Sequence, residues 1–226
     1  MKTVALIPLR GGSKSIPYKN IKLLAGKPLC YWVCYAASQA KGIDTVYVST
    51  DDIKIRDTVL SFGLDIQVID RPAEFAQDES STESVMLHFM EQSPDFDLLV
   101  TIQATSPLTT SEDIDNALAY FNKHNLDSLL TVVRTKRFFW TEEGESLNYD
   151  YRNRPRRQEF DGLMMENGAF YITKKDILKN EKNRLGGKIG IFEMREETAT
   201  EIDELMDWDI LENIILRDRP NETTSK

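Results

Sequence analysis

Short apolar runs alternate with longer amphipathic stretches through the first 135 residues. TVALIP (3–8), TVYVST (45–50), DIQVID (65–70), DLLVTIQA (97–104) and SLLTVV (128–133) are brief and rich in β-branched residues, and each predicts a strand. The stretches between them have helical character. Pro28 opens one helix, which LCYWVCYAASQA carries toward Gly42. DDIKIRDTVLSF predicts another, with Asp51 placed as its cap and Gly63 as its stop. SSTESVMLHFMEQ contains a helix start, a Ser or Thr followed by Glu83. TSEDIDNALAYFNKH is amphipathic with an acidic first turn, which suits the positive end of a helix dipole.

Strands that alternate with helices predict a mostly parallel sheet with helices on both faces, a three-layer α/β/α arrangement. In such sheets ligands bind beyond the carboxyl ends of the strands. The loop LRGGSKSIPYKN (9–20), TD at 50–51, RP at 71–72 and QATSP at 103–107 all fall there. After residue 134 the rhythm breaks into about thirty polar, aromatic and basic residues with no helical period. A structureless loop of that length is uncommon in a compact domain, so residues 134–163 are expected to protrude as a hairpin-like arm that grips a partner subunit. GAFYI (168–172) and KIGIFEM (188–194) resume strand character, a helix from Glu204 to Arg217 closes the fold, and NETTSK is a loose tail. The whole of residues 1–226 is expected to be one domain.

Composition sharpens this picture only in part. A net charge of −9 argues against a general nucleic-acid binder, and no apolar run approaches a membrane span. MKTVALIPL lacks the cleavage site of a signal peptide. Cys30 and Cys34 lie one helical turn apart with no further Cys or His cluster, as buried thiols of a cytoplasmic protein do. His88 and His124 are isolated in sequence and read as packed or surface histidines.

The distribution of charge is more informative than its total. No Asp or Glu precedes Asp44, yet seven cations do: Lys2, Arg10, Lys14, Lys19, Lys22, Lys27 and Lys41. YRNRPRR (151–157) adds four arginines, while acids crowd 193–209. Cationic patches in an acidic chain point to an anionic ligand. The glycines of the opening loop would let exposed amides cradle phosphate oxygens. GGSKS is not a Walker A loop, and no GxGxxG is present, so the loop is a phosphate site of another kind.

LRGGSKSIPYKNIKLLAGKPL, VSTDD, RPAEFAQDESST, TIQATSP, RPRRQ, ENGAFYI, GGK and EID occur in that order. Together they resemble the CMP-sialic acid synthetases, or acylneuraminate cytidylyltransferases, from about residue 3 to 217. TIQATSP, RPRRQ and ENGAFYI look most like the catalytic domain of the vertebrate enzymes. Their additional C-terminal domain is expected to be absent, with any function tied to it.

The resemblance implies a Rossmann-like nucleotidyltransferase fold with a dimerisation arm, and a homodimer in the cytoplasm. It implies transfer of CMP from CTP to the 2-hydroxyl of a nine-carbon 2-keto-3-deoxy sugar acid, N-acetylneuraminate or Kdn, with pyrophosphate released. Arg10, Gly11, Gly12, Ser13, Lys14 and Lys19 should then hold the triphosphate. Asn20 and Arg71 should meet the cytidine, and the backbone from Ser80 to Thr82 should read the cytosine edge. Gln103, Arg157, Gln158 and Tyr171 should contact the sugar acid, Arg157 at its carboxylate. Arg10, Lys19 and Asp203 carry the catalytic roles. Glu201 and Asp203, two apart on an extended segment, should hold Mg²⁺. The family usually has Asp-Ile-Asp where this chain has Glu201-Ile202-Asp203, so the share of each carboxylate is open. Legionaminate, pseudaminate or Kdo as the acceptor, and a non-catalytic nucleotide-binding module, are the alternatives.

Overall fold

A computed structural model describes residues 1–13, 15–93 and 95–218, so Lys14 and the NETTSK tail lie outside the described residues. The elements follow the predicted order. Strands are β1 (Thr3–Pro8), β2 (Leu23–Leu24), β3 (Lys27–Pro28), β4 (Thr45–Thr50), β5 (Ile66–Asp70), β6 (Leu98–Ile102), β7 (Ser128–Thr135), β8 (Leu163–Lys174) and β9 (Ile189–Glu193). Helices are α1 (Leu29–Gln39), α2 (Ile53–Leu60), α3 (Thr82–Gln92), α4 (Ser111–Lys123), α5 (Lys175–Glu181) and α6 (Leu205–Asp218). Among the described residues no helix is long and apolar enough to cross a membrane.

Seven strands form one sheet in the order β5-β4-β1-β6-β8-β7-β9. Every neighbouring pair is parallel except the two made by β8, which runs against β6 and β7. The central strand β1 shows how the layers arise. Ala5 and Ile7 turn to a cluster built with α1, α2 and α4. Val4 and Leu6 turn to the opposite cluster, with Met86 and Phe89 of α3 and Leu178 of α5. Burial on both faces is why these strands read as continuous apolar runs.

Two caps differ from the sequence reading. Asp52, not Asp51, caps α2, accepting from the amides of Lys54 at 2.8 Å and Ile55 at 3.1 Å. Ser81 caps α3 through the Ser84 amide at 3.1 Å, so Glu83 is not the partner in a capping box and is free to pair elsewhere. Helix α1 ends at Gln39, short of Gly42, because Asp115 of α4 accepts from the Lys41 and Gly42 amides and draws the chain away. The capping box lies instead at α4, between Thr110 and Asp113. The β2–β3 hairpin and α5 were not anticipated.

The excursion between β7 and β8 holds only one isolated bridge, Trp140 to Ser146, and a short 3-10 turn, Tyr151–Asn153. Aromatic packing organises it. Phe138 lies 4.2 Å from Tyr149 and 4.9 Å from Phe160 between ring centres, and Trp140 donates to the Tyr149 hydroxyl at 3.0 Å.

The closing helix α6 ties the site together. Trp208, Leu211 and Ile215 pack with Ile16, Leu24, Leu29, Trp32 and Ile202. Glu212 accepts from the Ala25 amide at 2.8 Å. The same small core therefore anchors the opening loop and the acidic EID segment.

Candidate active site

A cleft of about 420 Å³ opens at the carboxyl ends of the parallel strands. The opening loop contributes Arg10, Ser13, Ser15, Lys19 and Asn20 to its wall, the segment after β5 contributes Arg71, and the approach to α3 contributes Gln77, Asp78, Ser80, Ser81 and Thr82. Gln103, Ala104, Thr105 and Asp203 line it as well.

The local absence of acids in the opening loop does not hold in space. Arg10 donates to Asp78 at 3.1 Å, and the Gly11 amide donates to Asp51 at 3.0 Å. Lys19 Nζ donates to the Ile202 carbonyl at 2.8 Å and reaches Asp203 Oδ1 at 3.5 Å. Asn20 braces the loop by donating to the Arg10 carbonyl at 2.9 Å. Gly11 is required by close approach, since a Cβ there would lie 2.8 Å from the Asp52 side chain.

Arg71 is the buried cation of the cleft. Its Nε donates to Ser49 Oγ at 3.1 Å and its Nη2 donates to the Ser49 carbonyl. Burial pushes its pKa down to about 10; Asp51 opposes that shift and Arg10 adds to it. The guanidinium stays charged at neutral pH, fixed at the cleft wall.

A second lobe of about 380 Å³ shares Thr82, Gln103 and Thr105 with the first. Glu166, Gly168, Tyr171, Arg184 and Glu201 line the rest. The Gln103 amide donates to the Ala169 carbonyl at 3.0 Å, which fixes the ridge between the lobes. The Tyr171 hydroxyl donates to Glu166, and burial together with that carboxylate pushes the phenol well above its usual range. Burial raises the Glu201 carboxyl, and Asp203 and Glu166 add to the rise against the pull of Lys19. Gly168, at φ +60°, leaves room for the Glu201 carboxylate. One lobe is thus lined by Arg10, Lys19 and Arg71, while the adjoining one presents carboxylates and a single guanidinium.

Comparison with protein families matches residues 4–216 to the cytidylyltransferase model. The chain belongs to the cytidylyltransferase family. It is 41% identical over 220 residues to an N-acylneuraminate cytidylyltransferase of Oncorhynchus mykiss, covering 94% of this chain and 50% of that protein. It is 39% identical to N-acylneuraminate cytidylyltransferase A of Danio rerio, with the same coverage. The chain spans about half the length of these curated relatives. A post-translational flagellin modification protein B of Campylobacter coli is 28% identical and matches over 91% of this chain and 92% of its own length. Among solved structures, CMP:2-keto-3-deoxy-manno-octonic acid synthetase complexed with CTP superposes with a TM-score of 0.75 at 20% identity, over 96% of this chain and 100% of that one. That likeness establishes the fold.

In this member of the family the structure gathers Arg10, Ser13, Lys19, Asn20, Arg71, Ser80, Thr82, Gln103 and Asp203 around the first cleft. Gly11 and Gly12 belong to the same loop but do not line the cleft, and Gly12 is exposed. Thr82, Gln103, Tyr171 and Glu201 meet in the second lobe. Ile202 turns into the core while its neighbours turn outward, as alternation on an extended segment requires, but Glu201 and Asp203 open into different lobes. Arg157 and Gln158 lie on the arm, outside both. Arg157 faces Glu196 at 3.7 Å and bounds a separate hollow with Arg134, Lys136 and Glu193.

The sequence reading missed Asp78 and Thr105 of the cleft, Glu166, Gly168 and Arg184 of the second lobe, and the carboxylates Asp51 and Glu83, which accept from the Gly11 amide and from Arg184. Most of them sit inside motifs already quoted, VSTDD, DESST and ENGAFYI. Arg184 sits in a connection with no periodic signal.

Proposed function

We propose that the chain is a CMP-sialic acid synthetase. It transfers CMP from CTP to the 2-hydroxyl of a nine-carbon 2-keto-3-deoxy sugar acid, N-acetylneuraminate or Kdn, and releases pyrophosphate. The observation that carries the reading is the pair of adjoining lobes at the strand ends, joined at Gln103: one gathers Arg10, Lys19 and Arg71 against exchangeable carboxylates, and the other is lined by Glu166 and Glu201. A triphosphate suits the first, and a polyhydroxylated acid suits the second.

In this reading Arg10 and Lys19 offset charge on the α-phosphate and the departing pyrophosphate, and Arg71 and Asn20 hold the nucleoside. Ser13, Lys14 and the loop amides around Gly11 and Gly12 complete the phosphate contacts. Ser80 and Thr82 border the base, and Gln103 and Tyr171 hold the sugar. The hydroxyl oxygen forms a bond to the α-phosphorus as the α–β bridging bond breaks in line. Such transfer depends on positioning and electrostatics and needs no nucleophilic side chain.

The carboxylates suit Mg²⁺ as a shared ligand. Mg²⁺ characteristically takes one or two protein carboxylates and completes its shell with phosphate oxygens and water. Among the described residues no group of three or more His, Cys, Asp or Glu could hold a metal alone. Asp203, on the cleft wall beside Lys19, is the carboxylate placed to hold the ion at the phosphates, while Glu201 opens into the adjoining lobe. The ion when bound would neutralise phosphate charge.

The arm supports a homodimer, since Phe139, Trp140, Leu147 and Tyr151 expose apolar surface on it. We place Arg157 and Gln158 at the site of a second copy, because both lie outside the lobes of their own chain. The buried free thiols Cys30 and Cys34 suit a reducing cytoplasm.

The test is pyrophosphate release with CTP and Mg²⁺ in parallel with N-acetylneuraminate, Kdn, legionaminate, pseudaminate and Kdo. Release that depends on N-acetylneuraminate or Kdn is expected. Turnover of Kdo alone, or CTP binding with no release for any acid, would refute the reading. Arg10→Ala is expected to lower turnover by about two to three orders of magnitude, the usual loss of one transition-state donor.

A further inference from the structure

We propose that Arg184 is a specificity-determining residue, donating hydrogen bonds to oxygen substituents at the end of the sugar acid remote from C2. The proposal rests on the functional reading above and deepens it.

Arg184 lies between α5 and β9, in a connection that is held rigidly. Thr173 Oγ1 donates to its carbonyl at 2.7 Å, and the Leu185 amide donates to Asn183 Oδ1 at 2.9 Å. The Gly186 amide donates to Ser128 Oγ at 2.9 Å, and that hydroxyl donates back to the Gly186 carbonyl at 2.7 Å. The side chain is fixed as well. Its Nε donates to Glu83 in the first turn of α3, and its guanidinium carbon stands 4.7 Å from the centre of the Tyr171 ring. Three-quarters of the side chain is buried. Glu83 uses one N–H of a fork that carries five, and no described residue accepts a hydrogen bond from the terminal nitrogens.

The chemistry of the substrate decides what that fork meets. The attacking hydroxyl and the carboxylate share C2, so both must lie at the α-phosphorus, in the lobe of Arg10 and Lys19. The ring and its tail then extend past Gln103 into the second lobe. Hydroxyl donors find Glu166 and Glu201 there. Acceptor oxygens, from a C5 acyl group or a tail hydroxyl, find Arg184, the one cation in that wall. A planar fork locked on one side by Glu83 and stacked on a ring selects position as well as charge. A flexible cation would select charge alone.

The competing account is a structural clamp between this connection and α3. The 226-residue chain carrying Arg184→Met, Arg184→Lys or Glu83→Gln separates the two. CTP and sugar-acid KM values are measured for N-acetylneuraminate, Kdn and Kdo, with Ki replacing KM for any acid that is not turned over. Thermal melting is followed in parallel.

Arg184→Met is expected to raise KM for the nine-carbon acids by about tenfold or more, the effect of one charge-assisted hydrogen bond, with CTP KM within about twofold. The shorter Kdo should lose less, and Arg184→Lys should recover little. Glu83→Gln should give a smaller loss with the same ranking of acids. Equal losses on all three acids would mean that Arg184 holds the shared carboxylate or a structural clamp, and would overturn the proposal. A lower melting temperature with unchanged ranking would do the same. Wild-type chain that turns over a nine-carbon acid while Arg184→Met keeps its KM sinks this proposal alone. Wild-type chain silent with every acid sinks the functional reading, and this inference with it.

Discussion

Substituting Gly168 by alanine tests how the fold sets the acidic segment. Gly168 follows Asn167 at an irregularity of the β7–β8 ladder, where the register shifts between Leu130 and Val132. Asn167 is buried, and its Nδ2 donates to Thr198 Oγ1 at 3.0 Å, tying β8 to the turn that precedes Glu201. The irregularity leaves Gly168 at φ +60°, where an L side chain costs about 1–2 kcal/mol. A Cβ would also lie 2.8 Å from Glu201 Oε1 and 2.9 Å from Oε2. Glu201 must swing aside, off its preferred rotamer, at a cost of about 1 kcal/mol. The sum, about 2–3 kcal/mol, leaves a folded domain when set against stabilities of about 5–15 kcal/mol. Its effect on catalysis should be larger than its effect on folding. A shift of about 1 Å in a group that orients substrate can lower turnover by about 100-fold. Urea denaturation and pyrophosphate release measure the two effects on one preparation. Glu201→Asp in the Gly168→Ala background shortens the carboxylate and should return about 1 kcal/mol, the rotamer share, while the φ cost remains. Gly168→Ala with stability within about 0.5 kcal/mol of wild type and undiminished turnover would refute the reasoning. Additive effects of the two substitutions would refute the contact between them.

Three more perturbations probe separate parts of the structure. Arg71→Met removes the buried cation bonded to Ser49, and steady-state kinetics should show CTP KM raised by about one to two orders of magnitude. Thr110→Ala breaks the capping box of α4; urea melts should show a loss of about 1 kcal/mol with turnover preserved. Burial opposes ionisation of Glu83, but the hydrogen bond and charge of Arg184 prevail and hold its carboxyl below the ordinary 4.5. A depressed folded pKa contributes stability that is complete above the unfolded value and vanishes as pH falls through the folded one. The stability difference between wild type and Glu83→Gln, followed by urea melts from pH 7 to pH 3, should therefore hold above about pH 4.5 and shrink below it.

The order of elements was legible because parallel strands covered on both faces read as apolar runs, and α4 shows its amphipathic period plainly. The seven residues of α5 and the two-residue strands β2 and β3 are too short to establish a period. Asp51 and Asp52 are equivalent as letters, and only the backbone path makes the second one the cap. The site divides along similar lines. Cations near one another in sequence announced the opening loop. Their partners could not be read, because Asp51, Asp78 and Asp203 arrive from 40, 68 and 184 positions away. Those acids change what the loop is. Arg10 and Asp78 are both partly exposed, and an ion pair of that kind contributes at most about 1 kcal/mol. A phosphate can therefore exchange for the Asp78 carboxylate at small cost. The cleft holds its cations in position against carboxylates that a stronger anion displaces. An acid-free stretch of sequence has become a charge-balanced site, and the affinity of the loop for phosphate is the difference between the two sets of contacts.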